Sequence, residues 1–194
     1  MMTCWTSFLQ SRLDYCSQLW SPHDQSSITN LEDVARQYTS HIDGMEGLNY
    51  WERLYALGVY SQERRRERYM IIFMWKIAMG MVEGYQMEFL FNHRRRWVAV
   101  PKPVSRTAPA CVRKAREASF AVKGAFLFNL CPRELRDLAS NHVDRFKANL
   151  DAWLLNIPDQ PTIAGCQRAA NSNSLLHQVP MMMQQLDPNC TELE

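Results

Sequence analysis

The stretch from Ser61 to Gly80, SQERRRERYMIIFMWKIAMG, constrains the fold more than any other part of the chain. Ser61 can cap a helix by accepting a bond from an otherwise unpaired backbone N–H. Glu63 falls in the first turn, where the helix dipole favours an anion, and Gly80 can close the helix. The spacing predicts one helix over 61–79. Its first half is charged, with Glu63 to Arg66 and Arg64 to Glu67 at i,i+3, whereas Tyr69 to Ile77 is apolar on almost every side except at Lys76. Neighbours must cover such a helix nearly all round, which makes it the centre of a domain. Tyr50, Leu54 and Leu57 predict a short amphipathic turn before it, and Gly58 lets the chain bend into the long helix.

At 194 residues and 46% hydrophobic, the chain has enough for one domain with a sizeable core plus tails, and too little for a second full domain. A net charge of +2 conceals segregation. Residues 1–60 carry 3 basic and 7 acidic side chains, residues 61–123 carry 14 and 5, and residues 124–194 carry 5 and 8. A positive field confined to the middle of the chain suits a nucleic-acid surface, although a solvated helix face has the same composition. The 6 cysteines are scattered, with no C-x-x-C pair and no secretory signal ahead of them, so reduced thiols and an intracellular setting, nucleus or cytoplasm, are expected. The longest apolar run falls well short of the roughly 20 residues that span a bilayer, so no membrane partner is expected.

Trp5, Phe8, Leu9, Leu13, Cys16, Leu19 and Trp20 recur at helical spacing and predict a first helix closed by Ser21-Pro22. A cap among Asp24 to Ser27 leads into a second stripe of Ile28, Leu31, Ala35, Tyr38 and Ile42, ended by Gly44. Beyond Gly84 the period changes. Trp97 to Val100 and Ala110 to Arg113, separated by Pro101, Pro103 and Pro109, predict two short extended segments joined by a loop. A helical pattern resumes over Ser119 to Leu130. A last helix, capped by Ser140 or Asn141, carries Val143, Phe146, Leu150, Trp153 and Leu154. After Pro158 no period survives, and a disordered tail is expected. The predicted fold is mainly α: about five helices with a minor extended segment, divided as a terminal helix over 1–22, a helical domain over 23–157 and a tail over 158–194.

Two arginine clusters carry the candidate chemistry. Arg64, Arg65, Arg66 and Arg68 lie on the long helix, Arg94, Arg95 and Arg96 adjoin Trp97, and Arg113, Lys114 and Arg116 follow. The planar guanidinium gives phosphate two parallel charge-assisted bonds, and an indole can stack on a base. No zinc-finger spacing or RNA-recognition signature is present, so the expected contact is with the RNA or DNA backbone, non-specific and salt-sensitive. Helical geometry, about 100° per residue, spreads Arg64, Arg65 and Arg66 around the axis and favours Arg65 with Arg68 as a pair on one side. Cys166, His177 and Cys190 are too irregularly spaced for a structural zinc site. There is no P-loop, G-x-G-x-x-G, G-x-S-x-G or Asp-Asp pair, hence no visible carrier for enzyme chemistry and no implied cofactor.

Read together, SRLDYCSQLWSP (11–22) and LEDVARQYTSHIDGMEGLNYWERLYALGVYSQERRRERYMIIFMWKI (31–77) resemble the C-terminal part of the reverse transcriptases of jockey-like non-LTR retrotransposons. Arg12, Leu13, Asp14, Tyr15, Leu19, Trp20, Ser21 and Pro22 fit that family's R-x-x-L-D/E-Y helix ending in W-S/N-P. Leu31, Glu32, Val34, Thr39, Ile42 and Gly44 fit its L-E-x-V segment. Tyr50, Glu52, Arg53, Leu54 and Leu57, with Arg65, Arg66 and Arg68, fit its Y-x-E-R-L and R-R-x-R segments. Phe128-Asn129-Leu130-Cys131-Pro132 resembles its W/F-N-x-L-P, with Cys131 in place of leucine, and Phe146-Lys147 with Leu150-Asp151 resembles its closing F-K-x-x-L-D. The resemblance spans about residues 5–165. It implies the end of a thumb followed by a C-terminal helical region, with the palm, its aromatic-x-Asp-Asp metal-binding motif and the endonuclease lying upstream of Met1. The expectation is therefore a truncated, catalytically inactive fragment of an RNA-directed DNA polymerase, with weak nucleic-acid binding. The alternative is a domesticated helical protein-interaction module, its partner unknown, in which Trp51, Trp75 and the arginines dock a protein, since Arg and Trp favour interface hot spots.

Overall fold

A computed structural model describes residues 2–22, 24–84, 89–92, 98–137, 142–161 and 173–186. The described chain is mainly helical. The short N-terminal helices are α1 (Met2–Cys4), a π-helical turn (Trp5–Gln10), α2 (Ser11–Asp14) and α3 (Ser17–Trp20). They lead to α4 (Gln25–Ser40), α5 (Tyr50–Leu57) and the long α6 (Gln62–Ala78). Strands β1 (Phe89–Asn92) and β2 (Val98–Pro101) follow, then α7 (Ala110–Ala118), α8 (Phe120–Leu130), α9 (Arg133–Arg136), α10 (Val143–Leu154) and α11 (Leu175–Leu186).

The centre of the fold is α6, as its all-round apolarity requires. Met70, Ile71, Ile72, Met74, Trp75 and Ile77 are buried together with side chains of α8, α10, α11 and β2. The Trp75 and Phe146 rings stack 4.5 Å apart and 10° from parallel, fixing α10 against α6. On α8, Gly124 permits close approach: a Cβ there would lie 2.7 Å from the Phe120 ring and 3.2 Å from the Met74 methyl. A smaller cluster of Trp5, Ala35, Tyr50 and Leu54 joins the N-terminal helices to α4 and α5.

Local sequence logic holds at several boundaries. Asp24 caps α4 by accepting from Ser27 N at 2.9 Å. Bonds from Ser27 and Ser26 hold its carboxyl at about 2, below the usual carboxylate range. Asn49 and Glu52 form a reciprocal capping box on α5, and Gly58 leaves it at φ +63°. Ser61 caps α6 by accepting from Arg64 N at 3.1 Å.

Three expectations are corrected. The single helix expected over Trp5 to Trp20 is broken at Tyr15 and Cys16, where Cys16 adopts φ +49° and the Tyr15 carbonyl accepts from Trp20 Nε1 at 2.6 Å. Ala110 to Arg113, expected extended, begins α7, with Pro109 O accepting from the Val112 and Arg113 amides. Its carbonyl is thus the start signal rather than a barrier, since a proline ahead of a helix gives up no bond. The strand pairing with Val98–Pro101 is instead Phe89–Asn92, in antiparallel register Leu90 to Val100.

The third correction concerns the segment expected as a tail from 158. Residues 175–186 form α11, with Leu175 and Val179 buried in the main core. The proposed caps Ser140 and Asn141 lie outside the described residues.

Candidate functional site

The four arginines of α6 are drawn inward by acids and carbonyls from other segments. Arg64 is fully buried; its Nη2 donates to Pro158 O at 2.9 Å and Asn173 O at 3.3 Å, and its Nε lies 3.8 Å from Asp159. Arg65 holds Asp14 through Nε and Nη2 at 2.7–2.9 Å. Arg68 holds Asp151 the same way, through Nε at 2.5 Å and Nη2 at 2.7 Å. Arg66 lies with its guanidinium carbon 4.4 Å from the Trp20 ring centroid, and burial lowers its pKa. Arg65 and Arg68 do share one side of the helix, both within cation–π range of Tyr69, yet their forks are occupied by carboxylates where phosphate was expected. Arg64, Arg65, Arg66 and Arg68 are therefore engaged within the fold, where the sequence reads as offering them to a nucleic-acid backbone. Arg94, Arg95, Arg96 and Trp97 lie outside the described residues.

Exposed cations in the basic segment gather around α7 instead. Lys102, Arg106, Arg113 and Lys114 are exposed, and Arg116 Nη2 donates to Lys102 O at 3.4 Å, tying the preceding loop to the helix.

The start of α6 is also a concentration of buried and half-buried acids. Glu32, from α4, accepts from the Tyr50 hydroxyl and from the amides of Gln62 at 3.1 Å and Glu63 at 3.3 Å; burial raises its pKa despite these bonds. Asp159 accepts from Ser61 N at 2.7 Å and Ser61 Oγ at 2.8 Å. Glu67 accepts from the Ser174 hydroxyl and from Leu175 N at 2.8 Å, with Lys123 Nζ at 3.7 Å. Glu63 stands apart. It is 8% exposed and lines a cavity of about 310 Å³ between α4, α6, α7, α8 and α11. Burial first, then the charge of Glu67, pushes its carboxyl up to about 8. A concave, partly apolar site with a perturbed carboxyl is a binding-site candidate on physical grounds.

In the sequence Glu63 reads as a dipole-favoured first-turn residue and an i,i+3 partner of Arg66. The available signal was an acid at the start of a helix that had to be buried all round. Glu67 was paired on paper with Arg64 three residues away, whereas its partners are over fifty residues downstream. Among the described residues no group of three or more His, Cys, Asp or Glu side chains is placed to hold a metal ion; of the three residues weighed for zinc, Cys166 and Cys190 lie outside them. No described helix is long and apolar enough to cross a membrane. No family model, no curated protein and no solved structure matches the chain.

Proposed function

We propose that this chain is a non-catalytic helical module of the kind that follows the thumb in jockey-like non-LTR reverse transcriptases. Its charged motif residues act as internal clamps, and it meets the RNA or DNA backbone weakly, without sequence preference, through the cations around α7. The observation that carries the reading is how the separately quoted motifs pair. Asp14 of the first motif holds Arg65 of the third, and Trp20 of the first lies against Arg66. Glu32 of the second accepts from Tyr50 of the third, and Asp151 of the last holds Arg68. Asn129 of the fourth bonds both the amide and the carbonyl of Ala99, fastening α8 to β2. Motifs that serve architecture should interlock in this way. A polymerase centre needs carboxylates free to hold two metal ions, whereas Asp14, Asp151 and Glu32 are taken up by guanidinium, hydroxyl and amide donors.

The test is fluorescence anisotropy on labelled single-stranded and duplex oligonucleotides across a salt series. Arg113→Ala/Lys114→Ala should flatten the slope by roughly two counterions on every sequence, while Arg65→Ala/Arg68→Ala should lower stability and leave the slope of the folded protein unchanged. No binding by the parent chain at low salt removes the nucleic-acid role, and magnesium-dependent primer extension by the chain removes the non-catalytic reading.

A second reading, a protein-interaction module, is favoured by one observation. Phe8, Tyr15 and Leu19, on and between the short N-terminal helices, are 69%, 76% and 74% exposed, apolar side chains that a protein partner would cover. A partner retained through nuclease and high salt, and lost on Tyr15→Ala/Leu19→Ala, would select it.

A further inference from the structure

We infer that the cavity beside Glu63 binds a small organic cation: an amidinium, guanidinium or primary ammonium group carried on an apolar body. The argument begins with what Glu63 lacks. Each neighbouring acid has its donors: the buried Glu32 has Tyr50 and two amides, the half-buried Asp159 has Ser61, and the buried Glu67 has Ser174, Leu175 and Lys123. Glu63 is 8% exposed, no described side chain or amide donates a hydrogen bond to its carboxylate, and its oxygens, not fully enclosed, open into the cavity with the Lys123 charge as the nearby cation. A buried carboxyl without donors is costly, and the cost is removed by a ligand that brings N–H groups and a positive charge.

The surroundings select the sign and shape of that ligand. Facing Glu63 are Glu67 on its own helix, Glu32 on α4, Asp159 beyond α10 and Lys123 on α8, with Glu117 on α7 and His177 on α11 also lining the cavity. Lys123, 3.7 Å from Glu67, is the one lysine lining the cavity and is shared between Glu67 and Glu63, so acids outnumber cations around the carboxyl and an anionic ligand is disfavoured. Arg66 lines an adjoining cleft that shares Ile28, Glu63 and Lys123. Ile28, Val122, Phe126 and Leu176 supply the apolar wall, and Phe126 is 55% exposed, open to a planar ligand body. The volume, about 310 Å³, matches the lower end of small-molecule sites, roughly 300–1,000 Å³.

Binding a cation requires Glu63 as carboxylate, so ligand and proton compete. With its free carboxyl at about 8, a minority of molecules are competent at pH 7 and most are at pH 9. The apparent affinity should therefore tighten about tenfold across that interval.

The experiment is titration calorimetry of the full chain with benzamidine, its neutral isostere benzamide, and benzoate, at pH 7 and pH 9 in buffers of different ionisation enthalpy. Benzamidine is expected to bind with proton release at pH 7 and to tighten about tenfold by pH 9, while benzamide and benzoate bind at least tenfold more weakly. Glu63→Gln, which mimics the protonated carboxyl and should fold, abolishes the preference for benzamidine over benzamide and the pH dependence. Phe126→Ala weakens benzamidine while keeping its proton release. The inference is overturned if benzamidine does not bind, if benzamide or benzoate binds as well, or if Glu63→Gln binds benzamidine unchanged.

Discussion

Arg65 grips Asp14 from 51 residues away, with Nε 2.9 Å from both carboxylate oxygens and Nη2 2.7 Å from one of them. The contact ties the N-terminal helices to the central one. Tyr69 adds its hydroxyl at 3.3 Å from the same carboxylate.

Because the pair is two-pronged and partly buried, removing either partner should cost about 2 kcal/mol, the range for hydrogen bonds between charged groups. Asp14→Asn and Arg65→Ala should each lower the urea midpoint, and the double variant should lose about 1–2 kcal/mol less than the sum. Strictly additive losses in that cycle would show that no clamp exists.

Glu63 gives the fold a pH dependence of unusual sign. Its folded pKa, about 8, lies above the ordinary 4.5, so between those values the folded state keeps a proton that the unfolded chain has released. Stability from this group is thus fully present below about 4.5 and is lost as pH rises through about 8. The expected loss between pH 5 and pH 9 is on the order of 2–4 kcal/mol. Glu63→Gln should be markedly flatter, retaining the slope that Glu32, shifted upward too, contributes and, toward pH 9, that of the buried Cys131 thiol. Urea midpoints measured every half unit of pH for both proteins decide the matter; parallel curves would refute it.

Leu175→Ala should destabilise the fold by about 3 kcal/mol, since the side chain is fully buried against the α6 core. Glu67→Gln should weaken the same junction by loosening the bonds to Ser174 and Leu175. Urea unfolding measures the first loss. Limited proteolysis should cut near α11 sooner in both variants than in the parent.

Thiol chemistry offers a separate check. Cys131 is buried, and burial pushes its thiol up to about 12, whereas Cys4, Cys16 and Cys111 are exposed. Under native conditions iodoacetamide should modify those three and spare Cys131 until the protein unfolds. Peptide mass spectrometry reads the order, and early labelling of Cys131 would contradict its placement.

The helices were legible where their signals are local. Asp24 and Ser61 mark boundaries through bonds within a few residues, Gly58 through its positive φ, and the apolar run of α6 announces its own burial. What the sequence could not display was the destination of the charged side chains. Arg64, Arg65 and Arg68 read as a solvated or phosphate-binding stripe because their acidic partners lie 51 to 95 positions away, inside segments whose own patterns are helical or featureless. The final helix was missed for a related reason. With Pro180 inside it and polar residues ahead of it, α11 depends on Glu67 and the core rather than on its own pattern.

The opening turn of α6 has a consequence for how the protein comes into being. Its first amides are met by Glu32 from upstream, Ser61 holds on to Asp159 from downstream, and Arg64 reaches carbonyls at 158 and 173. The central helix thus begins at a junction completed only when residues some hundred positions downstream arrive. During synthesis those residues leave the ribosome long after α6 does, so the central helix must wait, half finished, for its closing partners.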